Sequence, residues 1–392
     1  SAQREWIDRL MTKYQEKYAG SKSYTQKHRK HLADPRSVSG FNPGWKEVIF
    51  PIVTVESKGS KLWDIDGNEL IDTSNGFGPI LFGHSPEFIS NAAKAQIDRG
   101  VETGPQSPLA GEVAELFCEL TGNERCTFAC TGSEANVGAL RVARTVTGRT
   151  KVVAFEGSYH GIHDEVVMRV GKDHKALPAA PGVPREATSN MILLPWGEQS
   201  SLDEIRKLGD EIAAVLVEPV QSRKPQFHSK EYIQEIRRIT EENGVALILD
   251  EVVTGFRVGP GGIRKRFDVD ADMMSYGKVV GGGYPIGIIA GKAKYLDAMD
   301  GGYWEFGDDS IPEQGVTFFA GTFVRHPLAL AVAKAVLTKI KEDGDSIYPA
   351  LEEKTTAMAK EAKAFIEQLK SNVSFEEFAS LFYISIPPTS HW

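Results

Sequence analysis

The chain predicts an α/β fold, a mostly parallel sheet covered by helices on both faces. Two observations carry this. Short runs that are apolar on both faces, "CTFAC", "KVVAF", "AAVLVEP", "VALILDEV" and "GIIAG", recur through its middle. Between them lie helical patterns, "SEANVGALRVART", "SLDEIRKLGDEI" and "SKEYIQEIRRITEENG". Strands with no polar face, separated by helices, belong to parallel sheets buried on both sides. A length of 392 residues suits about two or three lobes.

In chain order, residues 1 to about 36 predict a helical segment set apart from the rest. Trp6, Leu10, Tyr14 and Tyr18 recur every four residues and give one apolar stripe. That segment either packs on the main body or links it to something upstream. "KLWDIDGNELID" predicts a hairpin turning at Asp66-Gly67. "ADMMSYGK" predicts a strand that ends at Lys278, and Gly244 is a helix-stop signal. After Pro327 a helix is expected through about Lys370. "FASLFYISIPP" then predicts a strand.

Composition excludes several classes. The net charge of −8 leaves no general basic footprint for nucleic acid. No apolar run approaches the roughly 20 residues of a membrane span. "SAQREWIDRL" lacks a signal-peptide core. Three cysteines, Cys118, Cys126 and Cys130, point to a reducing, cytoplasmic compartment. Cys126 and Cys130 have no histidine close in sequence, so buried thiols are expected rather than a metal site.

Ligands of parallel sheets sit at the carboxyl ends of strands. Here those ends deliver Asp250, Glu218 and Lys278, and Thr131-Gly132-Ser133 opens a helix whose free N–H groups suit a phosphate. Each piece has a bland reading: a loop lysine, a turn carboxylate, a helix N-cap. Together they ask for a ligand with a phosphate, a group that condenses with an amine, and a cation that prefers a buried carboxylate. Pyridoxal 5'-phosphate has all three. Gly281, Gly282, Gly283 and Gly287 then read as keeping room around Lys278. No G-x-S-x-G elbow, P-loop or G-x-G-x-x-G turn occurs. His160 has no second metal ligand at a suitable spacing.

"LILDEVVTGFR" followed by "YGKVVGGGYPIG" resembles the signature of class III, fold-type-I aminotransferases. "LWDIDGNELID", "GPILFGH", "TGSEAN", "FEGSYHG", "VEPV" and "AGTF" fall in that family's order, from about Val53 to the end. The resemblance implies the fold of PLP-dependent transferases of type I. A large domain holds a mostly parallel seven-stranded sheet, and a small α+β domain forms from the N- and C-terminal segments. The implied divisions are a helical linker at 1–36, an N-terminal part of the small domain with the entrance at 37–95, the cofactor domain at 96–318, and an apparently incomplete C-terminal part at 319–392. It further implies that Lys278 forms the Schiff base and shuttles the proton, while Asp250 keeps the ring nitrogen protonated. Val252 and Tyr159 would flank the ring, with His160 beside it. Thr131, Gly132 and Ser133 would bind the phosphate, and Thr322 would reach the neighbouring subunit's phosphate in a homodimer with active sites at the interface. Glu218 is expected on the substrate side.

Within the family the likeness is to glutamate-1-semialdehyde aminomutases and to aminotransferase domains embedded in hybrid polyketide–nonribosomal peptide synthetases. The aminomutases carry an arginine for the substrate carboxylate in a V-R-A-F segment. Here the segment is "VSGF", with Ser39 in its place. "VEPVQSRKP", "GGYWEFGDDS", "TFFAGTFVRHPLA" and "SKSYTQKHRKHLADPRS" look like the synthetase domains. That resemblance implies β-amination of a 3-oxoacyl thioester on an acyl carrier protein, with an amino acid as donor. The alternatives are a glutamate-1-semialdehyde aminomutase or stand-alone small-molecule ω-aminotransferase, or a docking module without catalysis. A carrier's pantetheine arm would enter near Phe77 and Gly78. Its acidic surface would meet Arg223 and Lys224, or Arg264, Lys265 and Arg266, although a solvated surface run is the favoured reading of these residues.

Overall fold

A computed structural model describes residues 2–38, 40–313 and 315–386. The chain divides into two compact units, residues 1–90 and 91–392. Ser39 lies outside the described residues, as do Pro387 and Pro388.

In the first unit, helices Ala2–Lys17 and Ala19–His28 precede a three-stranded antiparallel sheet of β1 (Thr54–Lys58), β2 (Lys61–Asp64) and β3 (Glu69–Ile71). The predicted hairpin is β2–β3. Buried Asp64 closes its turn by accepting the N–H groups of Asp66 and Asn68. Asp66 in turn caps the second helix, accepting from Gly20 and Ser21. The helical region ends at His28 rather than near residue 36, and residues 35–37 make a single 3-10 turn. The apolar stripe is covered only at its carboxyl end. Tyr18 is buried and Tyr14 packs on Phe50, whereas Trp6 and Leu10 are exposed.

The second unit is built on a seven-stranded sheet. Its strands are β4 (Arg125–Ala129), β5 (Lys151–Phe155), β8 (Met191–Leu194), β9 (Ile212–Val217), β10 (Ala246–Asp250), β11 (Met273–Gly277) and β12 (Gly287–Gly291). A small antiparallel pair, β6 (Met168–Val170) and β7 (Ala176–Pro178), lies apart from it. The order across the main sheet is β4-β12-β11-β10-β9-β5-β8. Strands β8, β5, β9, β10 and β11 run parallel, and β12 is antiparallel to both neighbours. Residues of β9, β10 and β11 are buried throughout, as the apolar runs of β9 and β10 predict, and β11 buries Ser275 as well. The strand β8 has no counterpart in the sequence expectations. A four-residue apolar run such as "MILL" carries too little periodicity to announce a strand.

Helix Gly132–Thr147 buries Ala135, Ala139, Leu140 and Val142 in the core beside this sheet. The C-terminal helix runs Pro327–Gln368, close to the expected span, with Pro349 inside it. The last run forms a strand as expected, and a further strand precedes it. β13 (Ser374–Phe378) ends where Ala379 takes a positive φ, and β14 (Leu381–Ser385) returns antiparallel. No helix among the described residues is long and apolar enough to cross a membrane.

Candidate active site

Asp250 is the last residue of β10, 4% exposed, and Ser275 pairs beside it on β11. Its Oδ2 accepts from Asn136 Nδ2 at 2.8 Å and lies 2.7 Å from His160 Nδ1. Its Oδ1 has only long contacts, from Val252 N at 3.2 Å and Ser275 Oγ at 3.3 Å. Burial alone would raise its pKa, but the hydrogen bond and charge of His160, then Asn136, hold it below the ordinary carboxylate value. Asp250 is therefore an anion in a dry place, with one oxygen only weakly used.

Lys278 follows β11 three residues after Ser275, at the same end of the sheet. Its φ of +50° lies in the left-handed region, an uncommon conformation for a side chain of this size. Burial lowers its pKa; Asp250 and Glu218 oppose that shift and Arg257 adds to it. Among the surrounding glycines, Gly287 has a packing role that the sequence did not suggest. A Cβ on Gly287 would lie 2.1 Å from the Thr131 carbonyl oxygen, so this glycine lets β12 close on the loop after β4.

That loop opens helix Gly132–Thr147. Thr131 is its N-cap and accepts from Glu134 N at 3.2 Å. Glu134 reaches back to Cys130 N at 2.7 Å. Ser133 Oγ accepts from Ile162 N at 3.3 Å. Both hydroxyls accept backbone N–H groups, so their own protons can be donated outward. Gly132 and Ser133 contribute helix-start N–H groups, which have no intrahelical acceptor. A Cβ on Gly132 would lie 2.7 Å from both Val252 methyls, so only glycine lets Val252 approach the helix start.

Tyr159 and His160 lie on the loop after β5. His160 is 4% exposed, and its Nε2 is buried with no hydrogen-bond partner among the described residues. Tyr159 is exposed, but its N–H is tied to Glu218 Oε2 at 2.9 Å. Glu218 is buried, and its other oxygen accepts from Ser222 N at 2.9 Å. Burial, then the Asp250 charge, raise its pKa. With both oxygens committed to backbone, Glu218 acts through the loop that carries Tyr159. Gln221, missed by sequence reading, helps: fully buried, it donates to Glu156 O at 2.8 Å and to Ser158 Oγ at 3.3 Å. Glu218 and Gln221, three apart in "EPVQS", thus hold one loop, a relation no linear pattern announces.

Other expected residues are placed as follows. Thr322 is exposed. Phe77 is exposed and Gly78 follows it with a positive φ, in the first unit. In the basic run at 264–266, both arginines have partners within the chain. Arg264 donates to the carbonyls of Thr121 and Gly122, and Arg266 pairs with Glu352. The cysteines are half-buried, not buried, and the thiol beside Cys126 is Cys118 rather than Cys130. Glu251, next to Asp250, was also missed. It is buried and accepts from Thr254 Oγ1, Ile263 N and Arg264 N, and burial pushes its pKa up to about 7.

The donor set fits pyridoxal 5'-phosphate. Outward-facing hydroxyls and helix-start N–H groups suit the phosphate, and the weakly used Asp250 oxygen suits a cationic ring nitrogen. The shelf that Gly132 leaves for Val252 suits a flat ring. A half-buried lysine with a lowered pKa completes the set.

Comparison with known proteins adds an independent line. The family described as "Aminotransferase class-III" matches residues 43–377. Glutamate-1-semialdehyde 2,1-aminomutase of Methanosphaera stadtmanae is 38% identical over 284 residues, 72% of this chain and 64% of that protein, so the match spans less than two thirds of that relative. The protein of the same name from Archaeoglobus fulgidus is 35% identical over 343 residues, covering 86% of this chain and 78% of its own. Among solved structures, a β-phenylalanine aminotransferase from Variovorax paradoxus superposes with a TM-score of 0.79 at 26% identity, covering 97% of this chain and 83% of that one.

Proposed function

Since the chain belongs to the class-III aminotransferases, whose cofactor is pyridoxal 5'-phosphate, we propose that it moves an amino group on a small substrate at a carbon away from the α-position. The first reading is the reaction of the relatives, glutamate-1-semialdehyde 2,1-aminomutase, or a related ω-amino transfer. The observation that carries the reading is the buried Asp250 anion, set beside His160, with Lys278 at the end of the adjacent strand.

When bound, the cofactor supplies an aldehyde that condenses with amines and a ring that takes up the electron pair left when a substrate C–H proton departs. Lys278 supplies the amine that holds that aldehyde and, once released, takes and returns the proton at its Nζ. Burial lowers its pKa and so favours the neutral amine that this role needs. Asp250 would hold the ring nitrogen as a cation, its Oδ1 being the oxygen with only long contacts. His160 and Asn136 fix the carboxylate from the other side. Thr131, Gly132 and Ser133 hold the phosphate. Val252 and Tyr159 flank the ring, and Glu218 positions Tyr159. The active unit is a homodimer in which Thr322 reaches the partner's phosphate.

A second reading is β-amination of a 3-oxoacyl chain on a carrier protein. Ser39 favours it, because a tethered thioester needs no arginine for a free carboxylate. The likeness to a β-phenylalanine aminotransferase agrees with chemistry at a β-carbon. One experiment separates the readings. The amine form of the holoprotein is mixed with glutamate 1-semialdehyde, with free keto acids, and with a 3-oxoacyl carrier protein, and the cofactor absorbance is followed. Return of the aldehyde-form spectrum with the free compounds supports the first reading. Return with the carrier substrate alone supports the second.

A further inference from the structure

Arg223 lies over the ring of Tyr159, with the guanidinium carbon 5.8 Å from the ring centroid. Both side chains are exposed, yet neither backbone is loose. Glu218 holds one with each oxygen, accepting from Tyr159 N through Oε2 and from Ser222 N through Oε1. Beyond Arg223, Lys224 N donates to Gln221 O at 2.9 Å, and buried Gln221 is itself bonded to the Tyr159 loop. The turn 221–224 and the loop 156–160 are thus one assembly, and Arg223 is presented from it at a fixed place.

Among the described residues no carboxylate pairs with Arg223. A cation–π contact engages the charge of the guanidinium and gives its N–H groups no oxygen acceptor. The five guanidinium N–H donors lie in the plane and stay available at the edge, in the fork that matches a carboxylate. Lys224 does not extend this into a basic patch, because its ammonium sits over Phe227, 5.0 Å from the ring centroid. One oriented guanidinium suits a small anion better than the broad acidic face of a protein.

We propose that Arg223 is a specificity-determining residue that receives a carboxylate of the substrate at the mouth of the site. This rests on the reading that Tyr159 covers the cofactor. The substrate class is then an amino acid or keto acid whose free carboxylate lies far enough from the reacting carbon to reach past the Tyr159 ring.

The test is glutarate binding to the holoenzyme, read as a perturbation of the cofactor's visible absorbance, with R223Q and R223K as variants. The dissociation constant is expected to rise about tenfold or more in R223Q and to recover partly in R223K, as loss of a charge-assisted pair predicts. In turnover, the ratio of kcat/KM for an amino acid to that for its decarboxylated amine is expected to fall by a similar factor in R223Q. An intact cofactor band with the same glutarate affinity in parent and R223Q, or with no glutarate binding to the parent, overturns the assignment of Arg223 alone. A parent protein that takes up no pyridoxal phosphate overturns the reading beneath it as well.

Discussion

Asp250 Oδ2 and His160 Nδ1 meet at 2.7 Å across ninety positions of sequence, both side chains almost wholly buried. A carboxylate only accepts, so this contact makes Nδ1 the donor and fixes the imidazole's tautomer when it is neutral. It also keeps Asp250 ionised despite its burial. The pair is the electrostatic centre of the site.

Asp250→Asn tests that centre. The amide keeps the shape but cannot hold a cationic ring nitrogen. Folding and cofactor uptake are expected to persist, while kcat falls by at least about 100-fold, a loss of transition-state stabilisation. Steady-state kinetics on the cofactor-loaded variant check this, and unchanged turnover would remove Asp250 from the role.

Glu218→Ala tests the loop clamp. It frees the N–H groups of Tyr159 and Ser222 together. Lost hydrogen bonds to a buried charge cost roughly 1.5–3 kcal/mol each, offset here because the raised pKa shows that the ionised form is itself strained by burial. The expected net result is a stability loss of about 2 kcal/mol in urea titrations, with weaker retention of cofactor in dialysis. A variant that loses stability yet retains cofactor as tightly as the parent would make Glu218 purely structural.

Glu251 gives a pH prediction. Burial raises its folded-state pKa from 4.5 to about 7. Between those values the folded state binds the proton that the unfolded state releases. Its contribution to stability is therefore present below about pH 4.5 and is lost as pH rises to about 7. The span amounts to roughly 3 kcal/mol. Glu251→Gln is expected to flatten that slope in unfolding experiments run across the window. Parallel pH profiles for parent and variant would count against it.

The legibility of this protein in its sequence follows from range. Strands β9 and β10 were readable as apolar runs and β11 from "ADMMSYGK"; Asp250 closes β10, and Lys278 directly follows β11. The helix start at Thr131 was readable from local capping chemistry. What stayed hidden joins distant segments or depends on burial. Gln221 matters through Glu156 and Ser158, more than sixty residues earlier. Glu251 looks like any turn carboxylate until the segment at 262–264 folds onto it. Arg223 looked like half of a basic surface run, and only the folded loop sets it on Tyr159. The run at 264–266 looked equally available, but Thr121 and Gly122 engage Arg264 and Glu352 engages Arg266.

The central claim is that Lys278 carries the cofactor, and chemical trapping tests it most directly. The holoprotein is reduced with borohydride, digested, and mapped by mass spectrometry. The account predicts a pyridoxyl mass added to Lys278, absent from Lys278→Ala. A stable adduct on a different lysine, or none on the cofactor-loaded parent, would contradict it.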